Sequence, residues 1–429
     1  MHGAPAVEGP PGESIHSRIA HACLPRFRSL PLIVLLAFGA RFAALSLVQP
    51  WPIHEGSALW KSGLEIVNIA TSIASHRGFS SPFGVPSGPT AWIPPVYPYL
   101  VATIFLTLGL RSNLAALAIL MLQASFSALT CLPIYSIARR AFDENLAIWA
   151  SWGWALFPYA IVFPALFIWE TTLSGFLLAC LCYLCLDLPN SRVSTQIAVG
   201  VLWGIAALTN PSLLALLPFF LLCPYVKQPV HPPGKAMAII LVVAAFVVCP
   251  WFLRNWHELG AIIPLRSNFG EELWVGNHVG GIGRFQFGLG PSDNQHERER
   301  YRYLGEISYA AQRKTEAMQF ISENRGQFLR QTFFRVRYWW FAEGEDGGAF
   351  LFYRLLAILS LAGIALGWRR IANGPVLTIV MAIVVYPAVY YVTDVFARYR
   401  YPVEPFMMIL ATFAVSQAII LGKARFRKS

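Results

Sequence analysis

Trp92-Ile93-Pro94-Pro95-Val96-Tyr97-Pro98-Tyr99-Leu100, with the apolar run that continues to Leu110, decides how this chain is threaded. The run is apolar enough to cross a membrane, yet prolines at 94, 95 and 98 remove backbone donors where its first turn would form. As a crossing it places everything downstream on one side; as a re-entrant or interfacial element it places everything on the other. Lys and Arg in short loops arbitrate, because cytoplasmic loops carry the excess positive charge. With 92–110 re-entrant, spans follow at about 31–48, 113–137, 145–164, 171–187, 195–209, 211–226, 236–253, 349–367, 374–393 and 402–421. Arg139/Arg140, Arg192, Lys227/Lys235, Arg369/Arg370 and the tail Lys423, Arg425, Arg427 and Lys428 then all join the N-terminus in the cytoplasm. Counting 92–110 as a span destroys that agreement.

Composition supports the membrane reading. Hydrophobic residues make up 56% and charged residues 13% of the chain, and the mean hydropathy is +0.52; a soluble domain carries about 25% charged residues. Apolar runs match the roughly 20 residues that cross a hydrocarbon core of about 30 Å, and barrel-type alternation is absent. The expected fold is an all-α polytopic membrane protein, a bundle of about ten transmembrane helices with amphipathic interfacial helices in its first outer loop. Two of its spans, either side of Asn210-Pro211, are short enough to form one broken hairpin. The net charge of +11 would suggest nucleic acid in a soluble protein. Here the basic residues set topology, so the expected partner is the lipid bilayer and not nucleic acid.

Four regions follow. Residues 1–28 read as a disordered cytoplasmic tail ahead of an uncleaved first span. Residues 29–253 form an N-terminal transmembrane module with its first outer loop at 49–111. Residues 254–346 form a long outer loop with twelve basic and twelve acidic residues, a balanced soluble segment. Residues 347–429 hold the last helices and a basic cytoplasmic tail. The first half of the long loop is Gly-rich and reads as mobile. From Glu297 to Trp340 it turns helical, with Tyr301, Leu304, Ile307, Ala311, Phe320, Phe328 and Phe334 as the apolar face. Of the seven cysteines all but Cys23 lie in apolar runs, which argues against a disulfide framework or zinc site. Cys180, Cys182 and Cys185 have no adjacent His or carboxylate and read as packing residues. No cofactor is called for, and a divalent metal stays open.

The first outer loop runs Glu65-Ile66-Val67-Asn68-Ile69-Ala70-Thr71-Ser72-Ile73-Ala74, then Arg77-Gly78-Phe79, then Trp92-Ile93-Pro94-Pro95-Val96-Tyr97-Pro98. It resembles the first loop of GT-C membrane glycosyltransferases related to protein O-mannosyltransferases and aminoarabinose transferases. In those enzymes an acidic residue opens an amphipathic helix, a glycine closes it and a Pro-Pro-aromatic segment re-enters the membrane. Phe163-Pro164 through Trp169-Glu170-Thr171-Thr172 is similar to their second outward loop, and Arg398-Tyr399-Arg400-Tyr401-Pro402-Val403-Glu404-Pro405 to their last outward turn. Gly276-Asn277, Leu304-Gly305-Glu306 and Arg335 to Trp340 look like their long loop. Many members carry an Asp-Glu pair a few positions before the aromatic residue of that first helix, where this chain has a lone Glu65, with Glu55 ahead of it. The resemblance implies transfer of a hexose or pentose from a polyprenyl-phosphate donor to a lipid, glycan or protein acceptor. It places the reaction on the outer face of a bacterial inner membrane, with inversion.

Such a displacement needs a carboxylate to take the acceptor's proton, opposite a phosphate leaving group. Outside the long loop the acidic residues on the outer face are Glu55, Glu65, Glu170, Asp394 and Glu404. Glu65 is the first candidate base, since Ile66, Ile69, Ala70, Ile73 and Ala74 would rest its helix on the membrane; the plain alternative is a solvated interfacial helix. Glu170 would position acceptor or sugar, or else cap the span behind it. Glu55 ranks behind both, and Asp394 and Glu404 could equally pair with neighbouring arginines. Arg398 and Arg400, kept outside against the charge bias with Tyr399 and Tyr401 alternating, suit lipid phosphate or an interfacial anchor. Lys61 and Arg77 are weaker phosphate candidates. Arg41, inside the first span, is either functional or snorkelling. A lipid or oligosaccharide flippase and a polysaccharide polymerase or ligase are the competing functions.

Overall fold

The computed structural model describes residues 29–227, 234–345, 348–370 and 373–426. The expected N-terminal tail lies outside them. Helices dominate, and the extended backbone forms only an isolated bridge between Ser80 and Pro89 among the described residues.

The first apolar stretch is α1, Leu30–Val48, with Pro31 in its first turn, where the missing N–H has no partner to lose. The loop after α1 adds short α2, Ala58–Lys61, and α3, Leu64–Ala74. Then come α4, Val96–Leu108, and α5, Asn113–Leu129, which starts on Ser112 accepting from Ala115 N at 3.0 Å. Beyond it α6, Cys131–Ala141, is followed by α7, Glu144–Leu156, and α8, Pro158–Leu166; Asp143 caps α7 at Leu146 N, 2.9 Å away. Next are α9, Thr171–Cys185, α10, Val193–Ala207, and α11, Leu217–Leu222, the last flanked by 3-10 turns after Asn210-Pro211. The long α12, Gly234–Leu259, leads to the polar segment that follows.

Among the described residues five helical stretches are long and apolar enough to cross a membrane: Leu30–Val48, Asn113–Ala141, Gly234–Leu259, Gly374–Val392 and Ala397–Lys423. The pair α7 and α8, bent by 41°, makes a sixth. The other expected spans are shorter apolar helices, and Pro211–Tyr225 is broken as Asn210-Pro211 foretells. The chain is a helical membrane protein.

Two devices hold the bundle. The bend between α7 and α8 arises because Pro158 has no N–H for the carbonyl of Trp154. Arg41, wholly buried, replaces the missing donor: Nη2 reaches Trp154 O at 3.2 Å, Nη1 reaches Ala155 O at 3.1 Å, and Nε reaches Ser127 Oγ at 2.7 Å. It therefore points into the bundle, with no snorkelling outward. Elsewhere α10 and α12 meet backbone to backbone at Gly200 and Gly204, where an added Cβ would lie 2.8 Å from Ile240 O and 3.1 Å from Ala244 O. Small residues four apart are what close helix contacts in a membrane require.

The segment that opened the sequence reading forms a 13-residue helix, α4. That is about 20 Å of helix, short of the roughly 30 Å of a hydrocarbon core. Before it, Ala91 O accepts from Ser267 N at 2.9 Å and Ala91 N donates to Glu306 at 2.8 Å. After it, Arg111 Nη2 donates to Asn68 Oδ1 at 2.9 Å, and Ile53 N donates to Asn113 Oδ1 at 2.5 Å. Both ends are thus tied to loop residues. The apolar face of α3 was expected to lie on lipid; instead Ile66, Ile69 and Ala70 are buried, because α4 packs across them.

The long segment after α12 holds α13, Phe269–Gly276, α14, Gln295–Leu304, α15, Glu306–Glu323, and α16, Arg325–Phe341. Its Gly-rich half is therefore partly helical. Gly270 and Gly276 serve close packing there: an added Cβ would stand 2.0 Å from Ala310 O and 1.9 Å from Thr393 O. The packed face of α15 is also offset from expectation. Tyr309, Ala310, Arg313, Ala317 and Phe320 are buried, while Ala311 is exposed. The chain ends with α17, Gly348–Leu366, α18, Gly374–Val385, α19, Ala388–Val392, and α20, Glu404–Phe426.

Candidate functional site

A cavity of about 1100 Å³ opens where segment 254–346 meets the bundle, and α3, the turn before α9, α13 and the turn 393–401 line it. Glu306 clamps this junction, since it accepts hydrogen bonds from Thr90 Oγ1, Ala91 N, Ser267 Oγ and Tyr301 OH. Arg335 joins α16 to the same junction through Gly276 O and Tyr391 O, both at 2.8 Å. The walls are therefore fixed by buried polar groups that are fully engaged.

Glu65, Glu170, Lys61, Arg398 and Tyr399 all line this cavity, as does Asp394. Glu65 accepts a hydrogen bond from Ser292 Oγ at 2.5 Å, across 227 residues of chain. Burial raises its pKa, opposed by Ser292 and by the charge of Arg398. Glu170 makes no capping hydrogen bond although it stands at the N-terminus of α9. Burial pushes its carboxyl up to about 7, again opposed by Arg398 and Arg266. Arg398 stacks on Trp169, its guanidinium carbon 4.1 Å from the ring centroid. Its buried Nε has no hydrogen-bond partner, and no carboxylate among the described residues reaches ion-pair distance. Tyr399 stacks on Tyr390 with centroids 4.6 Å apart, and Tyr390 OH lies 3.1 Å from Tyr386 OH, so an aromatic wall faces Arg398.

The remaining candidates stand apart from this lining. Arg400 is fully buried and donates to Glu404 Oε1 at 3.0 Å, Trp340 O at 2.9 Å and Tyr353 O at 2.9 Å. Tyr401 donates to Ser127 Oγ at 2.7 Å, beside Arg41. Glu55 and Arg77 are exposed and do not line the cavity.

The structure adds acidic and basic residues from the long segment that sequence reasoning passed over. Glu272 accepts from Arg266 Nη2 at 2.7 Å and from Asn268 Nδ2 at 2.8 Å. Asp394 has its pKa raised by burial and then by neighbouring Glu272. Glu271, buried beside Arg313, is pushed up to about 8 by desolvation. A signal was present: the pair Glu271-Glu272 sits in the same helix as the motif Gly276-Asn277. The lining carries five cations, Lys61, Arg111, Arg266, Arg298 and Arg398, among six carboxylates, Glu65, Glu170, Glu271, Glu272, Asp293 and Asp394, and burial disfavours the charged form of Glu271 and Asp394. Among the described residues no group of three or more His, Cys, Asp or Glu could hold a metal ion.

No protein-family model matches the sequence, and no curated protein matches it. Solved structures do. An apo oligosaccharyltransferase from Archaeoglobus fulgidus superposes with a TM-score of 0.57 at 15% identity, over 97% of this chain and 53% of that one. The chain thus shares its fold with a membrane-embedded glycosyltransferase. The same archaeal enzyme, AglB, in complex with an inhibitory peptide and a dolichol-phosphate, gives 0.54 at 14% identity over 97% and 52%. ArnT from Cupriavidus metallidurans, bound to undecaprenyl phosphate, gives 0.50 at 16% identity over 90% and 59%. The chain thus spans about half the length of the GT-C structures it matches.

Proposed function

We propose that this chain is a membrane glycosyltransferase that moves a sugar from a polyprenyl-phosphate carrier to an acceptor on the outer face of the membrane. The observation that carries it is the meeting of Glu65 with Arg398, a guanidinium without a counter-ion, in one cavity at the outer end of a helical bundle. Glu65 takes the proton of the acceptor hydroxyl as its oxygen attacks the anomeric carbon. The bond from that carbon to the phosphate oxygen breaks, its electron pair leaves with the phosphate, and configuration inverts. Arg398 stabilises the charge that develops on the leaving phosphate. Glu170 and the tyrosine wall hold the sugar between them.

In this reading 92–110 dips in from the outer face and returns to it, supported by the loop contacts at both of its ends. Segments 49–111 and 254–346 then lie outside, both termini lie in the cytoplasm, and the membrane is a bacterial inner membrane. The structural neighbours solved with dolichol-phosphate and undecaprenyl phosphate support a lipid-phosphate donor. Purified protein supplied with a polyprenyl-phosphate sugar and candidate acceptors is expected to release polyprenyl phosphate. Glu65→Gln should abolish release while expression and elution profile persist. Activity that survives Glu65→Gln removes Glu65 as the base, and movement of lipid without sugar release supports the flippase reading.

A further inference from the structure

One flank of the cavity is cationic in a way the proposed reaction does not use. Arg111 occupies the turn between α4 and α5 with φ of 48°, a left-handed backbone that side-chain-bearing residues rarely adopt. Such strain persists where surrounding contacts impose it, and it clusters at ligand sites. Its guanidinium lines the cavity; Nη2 is held by Asn68 Oδ1 at 2.9 Å, while the buried Nε has no partner. Asn68 is fixed in turn by donating to Pro82 O at 3.0 Å, and it stands one turn along α3 from Glu65. Lys61, just ahead of α3 in the chain, also lines the cavity and forms no ion pair among the described residues. The other cavity cations are engaged differently: Arg266 pairs with Glu272 at 2.7 Å, and Arg298 donates to Pro291 O and Ser292 O at 3.0 and 3.2 Å. A positioned guanidinium and an ammonium without counter-ions, beside the candidate base, are built to receive an oxyanion.

We propose that Arg111 and Lys61 form a second anion subsite, which takes a phosphate or carboxylate group of the acceptor while Arg398 holds the phosphate of the donor. This rests on the glycosyltransferase reading for its assignment to the acceptor. It makes the acceptor an anionic molecule, with its reactive hydroxyl delivered to Glu65 by the anchored charge.

The test uses the full chain in detergent with two probes, undecaprenyl phosphate and inorganic phosphate. Protein saturated with undecaprenyl phosphate should still bind inorganic phosphate, followed by phosphorus NMR titration. Arg111→Gln should weaken that binding about tenfold and Lys61→Gln severalfold, with Arg111→Lys recovering part of it. Both Gln variants should leave undecaprenyl phosphate affinity within about twofold, where Arg398→Gln lowers it strongly. Failure of the lipid-saturated protein to bind inorganic phosphate overturns the second subsite. A loss of undecaprenyl phosphate affinity in Arg111→Gln as large as in Arg398→Gln also overturns it, by returning Arg111 to the donor site. If wild-type protein does not bind undecaprenyl phosphate, the glycosyltransferase reading fails separately. The lipid-free titration then decides the subsite alone: a tenfold loss in Arg111→Gln supports an oxyanion site, and no loss overturns it.

Discussion

Glu65 is held between opposing influences: burial raises its proton affinity, while Ser292 and Arg398 lower it. Burial is the largest of these, so the carboxylate form is populated only above a pKa that exceeds the ordinary glutamate value of 4.5. Activity measured against pH should therefore fall on the acid side through a limb above that value. Arg398→Gln removes a charge that favours the carboxylate, so it should move the limb to higher pH as well as raise KM for the donor by about tenfold or more. A pH–rate profile of both proteins checks this, and an unmoved limb separates Arg398 from Glu65. At this scale the sequence exposed Glu65, Glu170 and Arg398 because each is a charge placed among apolar neighbours. Arg111 was hidden by its ordinary place at a helix end, and Glu271 and Glu272 by the balanced charge of the segment that carries them.

Among elements, the bend between α7 and α8 shows how a proline is accommodated in a bundle. The carbonyl freed by Pro158 is met by Arg41 from another helix. Arg41→Ala would remove the guanidinium's hydrogen bonds to the Trp154 and Ala155 carbonyls and to Ser127 inside the bundle, at an expected cost on the order of 3 kcal/mol. Thermal unfolding in detergent should record this as a clear fall in midpoint, larger than for Arg77→Ala, whose side chain is exposed. The close approach at Gly204 leads to a second expectation: Gly204→Leu overpacks the α10–α12 contact and destabilises by about 2 kcal/mol. The same unfolding measurement reads it, and an unchanged midpoint would mean the two helices can part without loss. Apolar runs made the helical membrane bundle legible, but not the bends or partners of its helices. Hydropathy reports that a stretch is buried or in lipid and is silent on which; α3, covered by α4, was misplaced for that reason.

For the whole molecule, the short α4 and the ties at both its ends underlie one parity for every later loop. Single cysteines placed at Arg77 and Arg302 in a cysteine-free chain should react with a membrane-impermeant maleimide from outside, and one placed at Arg192 should not. Labelling of position 192 but not 302 would reverse the topology and remove the outer-face reading. The basic loops carried this parity in the sequence, whereas the cavity came into view only when the long segment was folded onto α3 and the turn 393–401. The central claim is that Arg398 receives the donor phosphate while Glu65 faces the sugar from the acceptor side. The most direct measurement is a structure of the Glu65→Gln protein with a polyprenyl-phosphate sugar bound. The phosphate should contact the Arg398 guanidinium, with the anomeric carbon between it and position 65; a phosphate elsewhere, or a sugar turned away from residue 65, would contradict the claim.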